Sequence, residues 1–286
     1  MNPAIRKYGP TLLKIALSLA CLWYAMTKPD WGKIAQSWRR VDLGWTAIAL
    51  GAYTLSKVLA SNRLNINFRL IGLSLSEKAN LRLFWLGMLY NLLLPGAVTG
   101  DAYKVMVLGK HPGIGRKSLA LAVLLDRFSG LLSLTLIIAG LSLYVFPASS
   151  TTTLIAICAF LAPPVCYWGI LRFMPNQATG FLKTFWMGAG VQLLVVITVT
   201  TLMWALGLSN DLTGYLLVFL AAAALSVLPI SIGGGLGIRE FASIQGAQWL
   251  GLPIEDALLL SLLFYGVTVA TALPGLLFIF RDPLQE

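Results

Sequence analysis

Charge is what this sequence has least of. Only 11% of its 286 residues are Asp, Glu, Lys or Arg, where a soluble domain carries about 25%. Histidine is nearly absent. The single one, His111, sits in a loop beside Pro112, which leaves little for His-based catalysis or metal chemistry. The three cysteines, Cys21, Cys158 and Cys166, fall in apolar stretches without metal-ligand spacing and read as buried thiols. The residues before Cys21 (Ser18, Leu19, Ala20) fit a lipoprotein site poorly, and the membrane-like sequence after it argues against a cleaved signal peptide. No nucleotide-binding motif is present. The sequence therefore points to no catalytic residue, no metal and no cofactor.

Apolar residues fill the space that charge leaves. They make up 58% of the chain, and the mean hydropathy is +0.80. A chain of that composition cannot present a water-facing surface. Runs of about 20 apolar residues read as membrane-spanning helices, and only short loops separate them. The expected fold is all-α: a polytopic helical bundle in one membrane domain over residues 1–286. The formal net charge of +10 would suggest nucleic acid in a soluble protein. Here the basic residues flank hydrophobic segments, where they orient helices and meet anionic headgroups. No basic face is interleaved with exposed aromatics, so nucleic acid is not an expected partner.

Six full spans are expected: about 11–26, 43–61, 118–146, 154–172 (bent at Pro163-Pro164), 186–206 and 257–280, with Pro274 inside the last. Residues 28–42 read as a short interfacial helix carrying Trp31, Ile34, Trp38 and Val41 on one face. The stretch from Arg63 to Arg82 reads as a basic connection. Two further apolar segments stop early. Residues 81–94 end at Leu94-Pro95-Gly96, and a short helix resumes up to about Lys110. Residues 215–228 end at Pro229, and a short helix resumes over 238–250. Proline and glycine break both segments, and each reads as a re-entrant pair of half-helices. With the amino terminus in the cytoplasm, most Lys and Arg fall on the cytoplasmic side of an inner membrane; Lys28, Lys33, Arg39 and Arg40 are the exception. Both termini are then cytoplasmic, and the two broken segments enter from opposite sides.

The breaks resemble each other. Residues 92–104 and 226–240 each hold an apolar half-helix, a Leu-Pro, a glycine-bearing turn and then a basic residue, Lys104 or Arg239. The arrangement is that of an inverted repeat, with halves at about 43–146 and 186–280, and matched interrupted segments of this kind point to a binding site. The start of each second half-helix offers free N–H groups and a positive dipole end, which suits an anion and phosphate above all. Gly233, Gly234 and Gly235 permit close backbone approach. Thr99 and Asp101 are candidate caps beside Gly100, and Ser231 has the same role near the second break. Asp126 and Arg127 lie inside a full span, where charges face a cavity or a partner. Two readings of that pair stand: direct ligand contact, or structural ion pairing with Arg239, Glu240, Asp101 or Lys104.

These residues resemble the lysylphosphatidylglycerol synthase transmembrane-region family of flippase-like membrane proteins. The resemblance rests on Asn91 to Gly96 with Gly100-Asp101 and Lys104, on Asp126-Arg127 with Gly130, and on Leu228-Pro229-Ile230-Ser231 followed by Gly234 and Leu236-Gly237-Ile238-Arg239-Glu240. It extends over roughly residues 10 to 280. Two features depart from the pattern: Lys104 stands where members often carry Arg, and residues 263–266 lack a basic residue common in the last span. The resemblance implies a translocase for a lipid or lipid-linked headgroup, an anionic phospholipid or a polyprenyl-phosphate-type lipid. Lys104, Arg127 and Arg239 would hold the phosphate, while Asp101, Asp126 and Glu240 would orient those bases or bind an ammonium group. Transport would be passive, gradient-driven or dependent on a partner such as a synthase or glycosyltransferase. The alternatives are a membrane transferase acting on a lipid-linked substrate and a non-catalytic membrane partner of a synthase.

Overall fold

The computed structural model describes residues 3–94, 98–110, 113–147, 149–227, 233–280 and 283–284, with side chains from residue 12 onward. His111, Pro112, Arg281 and the centres of both breaks, residues 95–97 and 228–232 with Pro95, Pro229 and Ser231, lie outside the described residues. Among the described residues the secondary structure is helical, with no strand.

The helices run α1 (Pro3–Thr27), α2 (Trp31–Arg39), α3 (Leu43–Leu70), α4 (Glu77–Leu93), α5 (Thr99–Leu108), α6 (Arg116–Val145), α7 (Ser150–Phe173), α8 (Pro175–Ala205), α9 (Leu212–Ser226), α10 (Ile238–Leu250) and α11 (Ile254–Ala272). A 3-10 turn, Leu273–Phe278, follows α11 and holds Pro274 near its start. Local chemistry sets several boundaries. Asp30 and Asp42 cap α2 and α3 by accepting from the N–H groups of Gly32 and Gly44 at 2.8 and 2.7 Å. Ser149 and Thr152 form a capping box at the start of α7, and Pro175 occupies the first turn of α8.

Five helical segments are long and apolar enough to cross a membrane: Leu43–Leu70, Arg116–Val145, Ser150–Phe173, Pro175–Ala205 and Ile254–Phe278. They match five of the six spans expected from sequence. The sixth falls in the shorter apolar stretch Leu12–Thr27. This is a multi-pass α-helical membrane protein. Pro163 and Pro164 lie within a continuous α7. That helix turns Leu154, Ile155, Phe160, Leu161, Val165 and Trp168 outward, as a helix in contact with lipid does.

Two helices are longer than the sequence reading has them: α8 starts eleven residues before the expected 186, and α3 is extended at its end. Helix α3 does not end at Ser61 but runs on to Leu70 and stops where Gly72 adopts φ +84°. No proline or glycine lies between Ala52 and Ile71, so nothing breaks the helix sooner. Arg63 is thereby carried out of the expected basic connection and into the bundle, where it is buried. The extended α3 packs along α8, with Gly180, Gly188 and Gly190 of α8 facing Leu70, Arg63 and Leu59. Small residues at such a seam let two backbones approach.

The four short helices form two hairpins. At 17, 10, 15 and 13 residues they are about 26, 15, 22 and 20 Å long, each short of a hydrocarbon core of about 30 Å. The α4 and α5 backbones touch at Gly87 and Gly100, where a methyl group on Gly100 would strike the Gly87 carbonyl. In the second hairpin, Gly246 of α10 packs on Val218 of α9. Between the second hairpin and α3, α6, α8 and α11 lies a core centred on Tyr53, Phe219 and Phe264, with the Phe264 ring centroid 5.0 Å from that of Tyr53 and 4.7 Å from that of Phe219.

Candidate functional site

A cavity of about 350 Å³ opens beside this core. It takes its lining from seven helices and from the glycine turn before α10. From α3 come Tyr53, Lys57, Ala60, Arg63 and Leu64; from α4, Met88, Asn91 and Leu92; from α5, Asp101 and Lys104; and from α6, Asp126, Arg127, Gly130 and Leu134. The steps of three and four residues place each set on one face of its helix. Gln192 of α8, Thr268 of α11, Ser226 at the end of α9 and Gly234 complete it.

The structure brings the margins of the two breaks together here. Gly234 adopts φ +73°, and a Cβ on it would lie 3.0 Å from the Leu92 side chain at the end of α4. A residue with a side chain would be strained in that conformation and crowded in that position.

Three ion pairs organise the charged wall. Asp126 accepts from Arg63 at both oxygens, Nε to Oδ1 at 2.8 Å and Nη2 to Oδ2 at 3.0 Å. Both side chains are more than nine-tenths buried. This parallel fork is the strongest geometry a carboxylate and a guanidinium can form. Asp101 accepts from Lys104 Nζ at 3.1 Å and from Arg127 Nε through its other oxygen. Lys104 lies across Gly87, where a Cβ would come within 2.6 Å of its Cε, and its ammonium sits 4.4 Å from the Phe84 ring centroid. The glycine that lets α5 approach α4 therefore also makes room for the lysine stem. Lys57 stands over the Tyr53 ring at 4.1 Å. The lining thus holds four cations, Lys57, Arg63, Lys104 and Arg127, against two carboxylates, Asp101 and Asp126.

The α5 amino terminus is capped from another helix. Asn91 of α4 accepts from the Gly100 N–H at 2.8 Å, and the Thr99 hydroxyl donates to the Tyr90 carbonyl at 3.1 Å. Val98 occupies the cap position without a side-chain bond. Thr99 and Asp101, read from sequence as candidate caps, instead tie α5 to α4 and to the two cations. Asn91 is the residue that meets the free N–H.

Arg239 and Glu240 lie elsewhere. Neither lines the cavity. Arg239 donates to Ser261 Oγ at 2.9 Å, and through Nη2 to the Ser261 carbonyl and to Glu240 Oε1, each at 3.2 Å. The Ser261 hydroxyl donates to Glu240 Oε1 at 2.8 Å, and the other Glu240 oxygen accepts from the Gly237 N–H at 2.7 Å. Glu240 is fully buried. Its carboxylate thus occupies the positive end of α10, which the sequence suggested for a ligand anion. Gly235 packs against Ser226, and Gly237 against the Ser18 carbonyl of α1, both with positive φ. Gly233 lies close to the Leu92 carbonyl. Their glycine identity serves turn conformation and packing.

Of the residues proposed from sequence, Lys104, Arg127, Asp101, Asp126 and Gly234 share the cavity. Thr99, Gly100, Gly233 and Gly235 neighbour lining residues without lining it themselves, Arg239 and Glu240 lie apart, and Ser231 is outside the described residues. Arg63 and Lys57 were missed. Its charge places Arg63 in a basic connection by sequence, while the absence of a helix breaker before Gly72 is the signal that it continues α3.

The family model for the lysylphosphatidylglycerol synthase TM region matches residues 11–179. That range takes in the first break, the Asp126-Arg127 pair and the charged face of α3, and it ends before the second break. No curated protein and no solved structure matches the chain significantly. The family match covers more than half of the chain, and the residues it spans supply all six charged groups of the cavity: the chain belongs to the lysylphosphatidylglycerol synthase transmembrane-region family.

Proposed function

We propose that this protein is a flippase-like translocase for a lipid or lipid-linked headgroup, with the phosphate of that headgroup bound in the cavity between the two helical hairpins. The observation that carries the reading is the excess of cations over carboxylates in a cavity bounded by both breaks. Charges at membrane depth are costly, and they are retained where they serve a partner or a pathway. The rest of the lining is largely apolar, with Leu64, Met88, Val123, Leu131 and Val191. At about 350 Å³ the space is at the small end of ligand sites. It suits a headgroup whose acyl chains remain outside.

In this reading the α4–α5 and α9–α10 hairpins are re-entrant, opposed in an inverted repeat, and they open the site alternately to each face of an inner membrane with both termini cytoplasmic. Lys104 and Arg127 hold the phosphate, with Asp101 fixing both and Asp126 fixing Arg63 beside them. Arg239 and Glu240 act at one remove by locking the second hairpin.

The test is reconstitution. Purified protein in vesicles carrying a fluorescent anionic phospholipid should speed the exchange of that lipid between leaflets, as read by chemical quenching from outside. Lys104→Gln and Arg127→Gln should each slow exchange by roughly tenfold, the effect of losing one hydrogen bond from a charged group. Unchanged exchange across several anionic lipids would sink the proposal. Recovery of a lipid of altered mass would favour the transferase reading instead.

A further inference from the structure

Among the described residues, the charges lining the cavity are not balanced. The Arg63–Asp126 pair is neutral and takes both carboxylate oxygens. Asp101 serves two cations at once, Lys104 and Arg127. Lys57 has no carboxylate partner among the described residues; its ammonium rests on the Tyr53 ring. With four cations facing two carboxylates, the lining carries two formal positive charges. A monoanion would leave one of them without a counter-charge in a largely apolar surrounding, which is unfavourable.

A second observation concerns donors. Nη1 of Arg63 is buried and makes no hydrogen bond, although the other two guanidinium nitrogens are bonded. It lies between Gly130 of α6 and Gly188 of α8, where an added Cβ would come within 3.0 and 3.1 Å of it. Buried donors in native proteins find partners. Nη1 is enclosed between α6 and α8, so on the α3 side of the cavity it is the half-buried Lys57 ammonium that is left to meet an acceptor. Lys104 and Arg127 face it from α5 and α6. An acceptor group serving both sides needs several oxygens and two negative charges.

We infer that the preferred headgroup is a terminal phosphate monoester of a lipid, taken as its dianion, in preference to a phosphodiester. A phosphodiester carries one negative charge and has two of its oxygens committed to ester links. A phosphomonoester has three free acceptor oxygens and a second ionisation near pH 6, so it carries about −1.5 to −2 at neutral pH. This inference rests on the cavity being a headgroup site, and it names the headgroup class.

The test compares lipids that differ by one methyl group on the phosphate. Phosphatidic acid and phosphatidylmethanol with the same acyl chains are titrated into the purified full chain in neutral-lipid nanodiscs, with phosphatidylcholine and inorganic phosphate as further arms. Binding is read by ligand-induced thermal stabilisation. The expected result is that phosphatidic acid binds at least about tenfold more tightly than phosphatidylmethanol at pH 8 and that the gap closes at pH 5, below the second ionisation. Lys57→Gln should narrow the gap at pH 8. Equal binding of the two lipids at pH 8 would overturn the dianion preference while leaving the headgroup site intact. Binding of neither above phosphatidylcholine would overturn the site itself. Inorganic phosphate binding as tightly as phosphatidic acid would overturn the lipid as its source.

Discussion

Arg63 and Asp126 meet across 63 residues of sequence, α3 to α6, in a two-bond ion pair closed to solvent. Asp126 is adjacent in sequence to Arg127, yet the two side chains serve different partners. Asp126 turns to α3, and Arg127 turns to Asp101 of α5. One turn of α6 thus joins the first hairpin to the α3–α8 pair, and the cavity lies between them.

Removing one member of this pair should be far worse than removing both. Asp126→Leu leaves the Arg63 guanidinium buried without a counter-charge, a loss of about 3–5 kcal/mol. The double variant Arg63→Met with Asp126→Leu leaves no orphan charge and should recover most of that loss. Thermal unfolding in detergent, followed by size-exclusion of the surviving fraction, measures both. A single variant as stable as the parent would show that the pair carries no structural weight.

Gly100 offers a sharper steric test. A methyl group there meets backbone atoms of Gly87, which cannot swing aside as a side chain can. Gly100→Ala should therefore cost at least about 1–3 kcal/mol, as overpacking does, and separate α5 from α4. Gly51 and Gly140 are controls within helices, where an added Cβ meets nothing within 4 Å. Alanine at either should be neutral or stabilising by up to about 1 kcal/mol. Unfolding midpoints of the three variants decide the matter.

Asn91 is expected to matter for the geometry of the site more than for its charge. Its carboxamide oxygen accepts from the Gly100 N–H at 2.8 Å across the hairpin. Asn91→Leu should cost about 1 kcal/mol, the loss of a cap. Asn91→Asp keeps an acceptor there and restores that stability, but it adds a negative charge to the cavity lining. It should therefore weaken binding of anionic lipid while melting close to the parent. If Asn91→Asp binds anionic lipid as the parent does, the cavity is not the anion site.

Much of this architecture was legible in sequence because it follows from composition and helix breakers. The apolar spans and the two short-helix pairs stand at their expected places in the chain, some within a few residues (α10 at 238–250, α6 at Arg116–Val145 against 118–146), while α3 and α8 are about ten residues longer than expected. The Asp101–Arg127 pair was among the partnerships foreseen. The partner of Asp126 is not legible in sequence, because pairing across 63 residues depends on how α3 packs, and hydropathy alone ends α3 nine residues before its observed end. The roles of Arg239 and Glu240 were hidden for a different reason. A basic residue after a glycine turn reads alike whether it faces a cavity or its own neighbour. Only the position of Ser261 on α11 shows which way it turns.

Lys104 and Arg239 hold corresponding positions after the two breaks, and they should fail in different ways when replaced. Arg239 is enclosed by Ser261, Glu240 and the rings of Phe264 and Tyr265, whose centroids lie 5.3 and 5.8 Å away. Glu240 in turn holds the Gly237 N–H at the start of α10. Glu240→Leu should therefore strand a buried guanidinium and a buried amide, costing about 3–5 kcal/mol and most of the folded yield. Lys104 shares Asp101 with Arg127. Lys104→Gln leaves that carboxylate paired and should shift the melting point little, while it removes one of the four cations facing the cavity. Paired measurements of thermal stability and of binding to anionic vesicles separate the two outcomes. A Lys104→Gln protein that melts like the parent and binds anionic lipid equally well would remove Lys104 from the site.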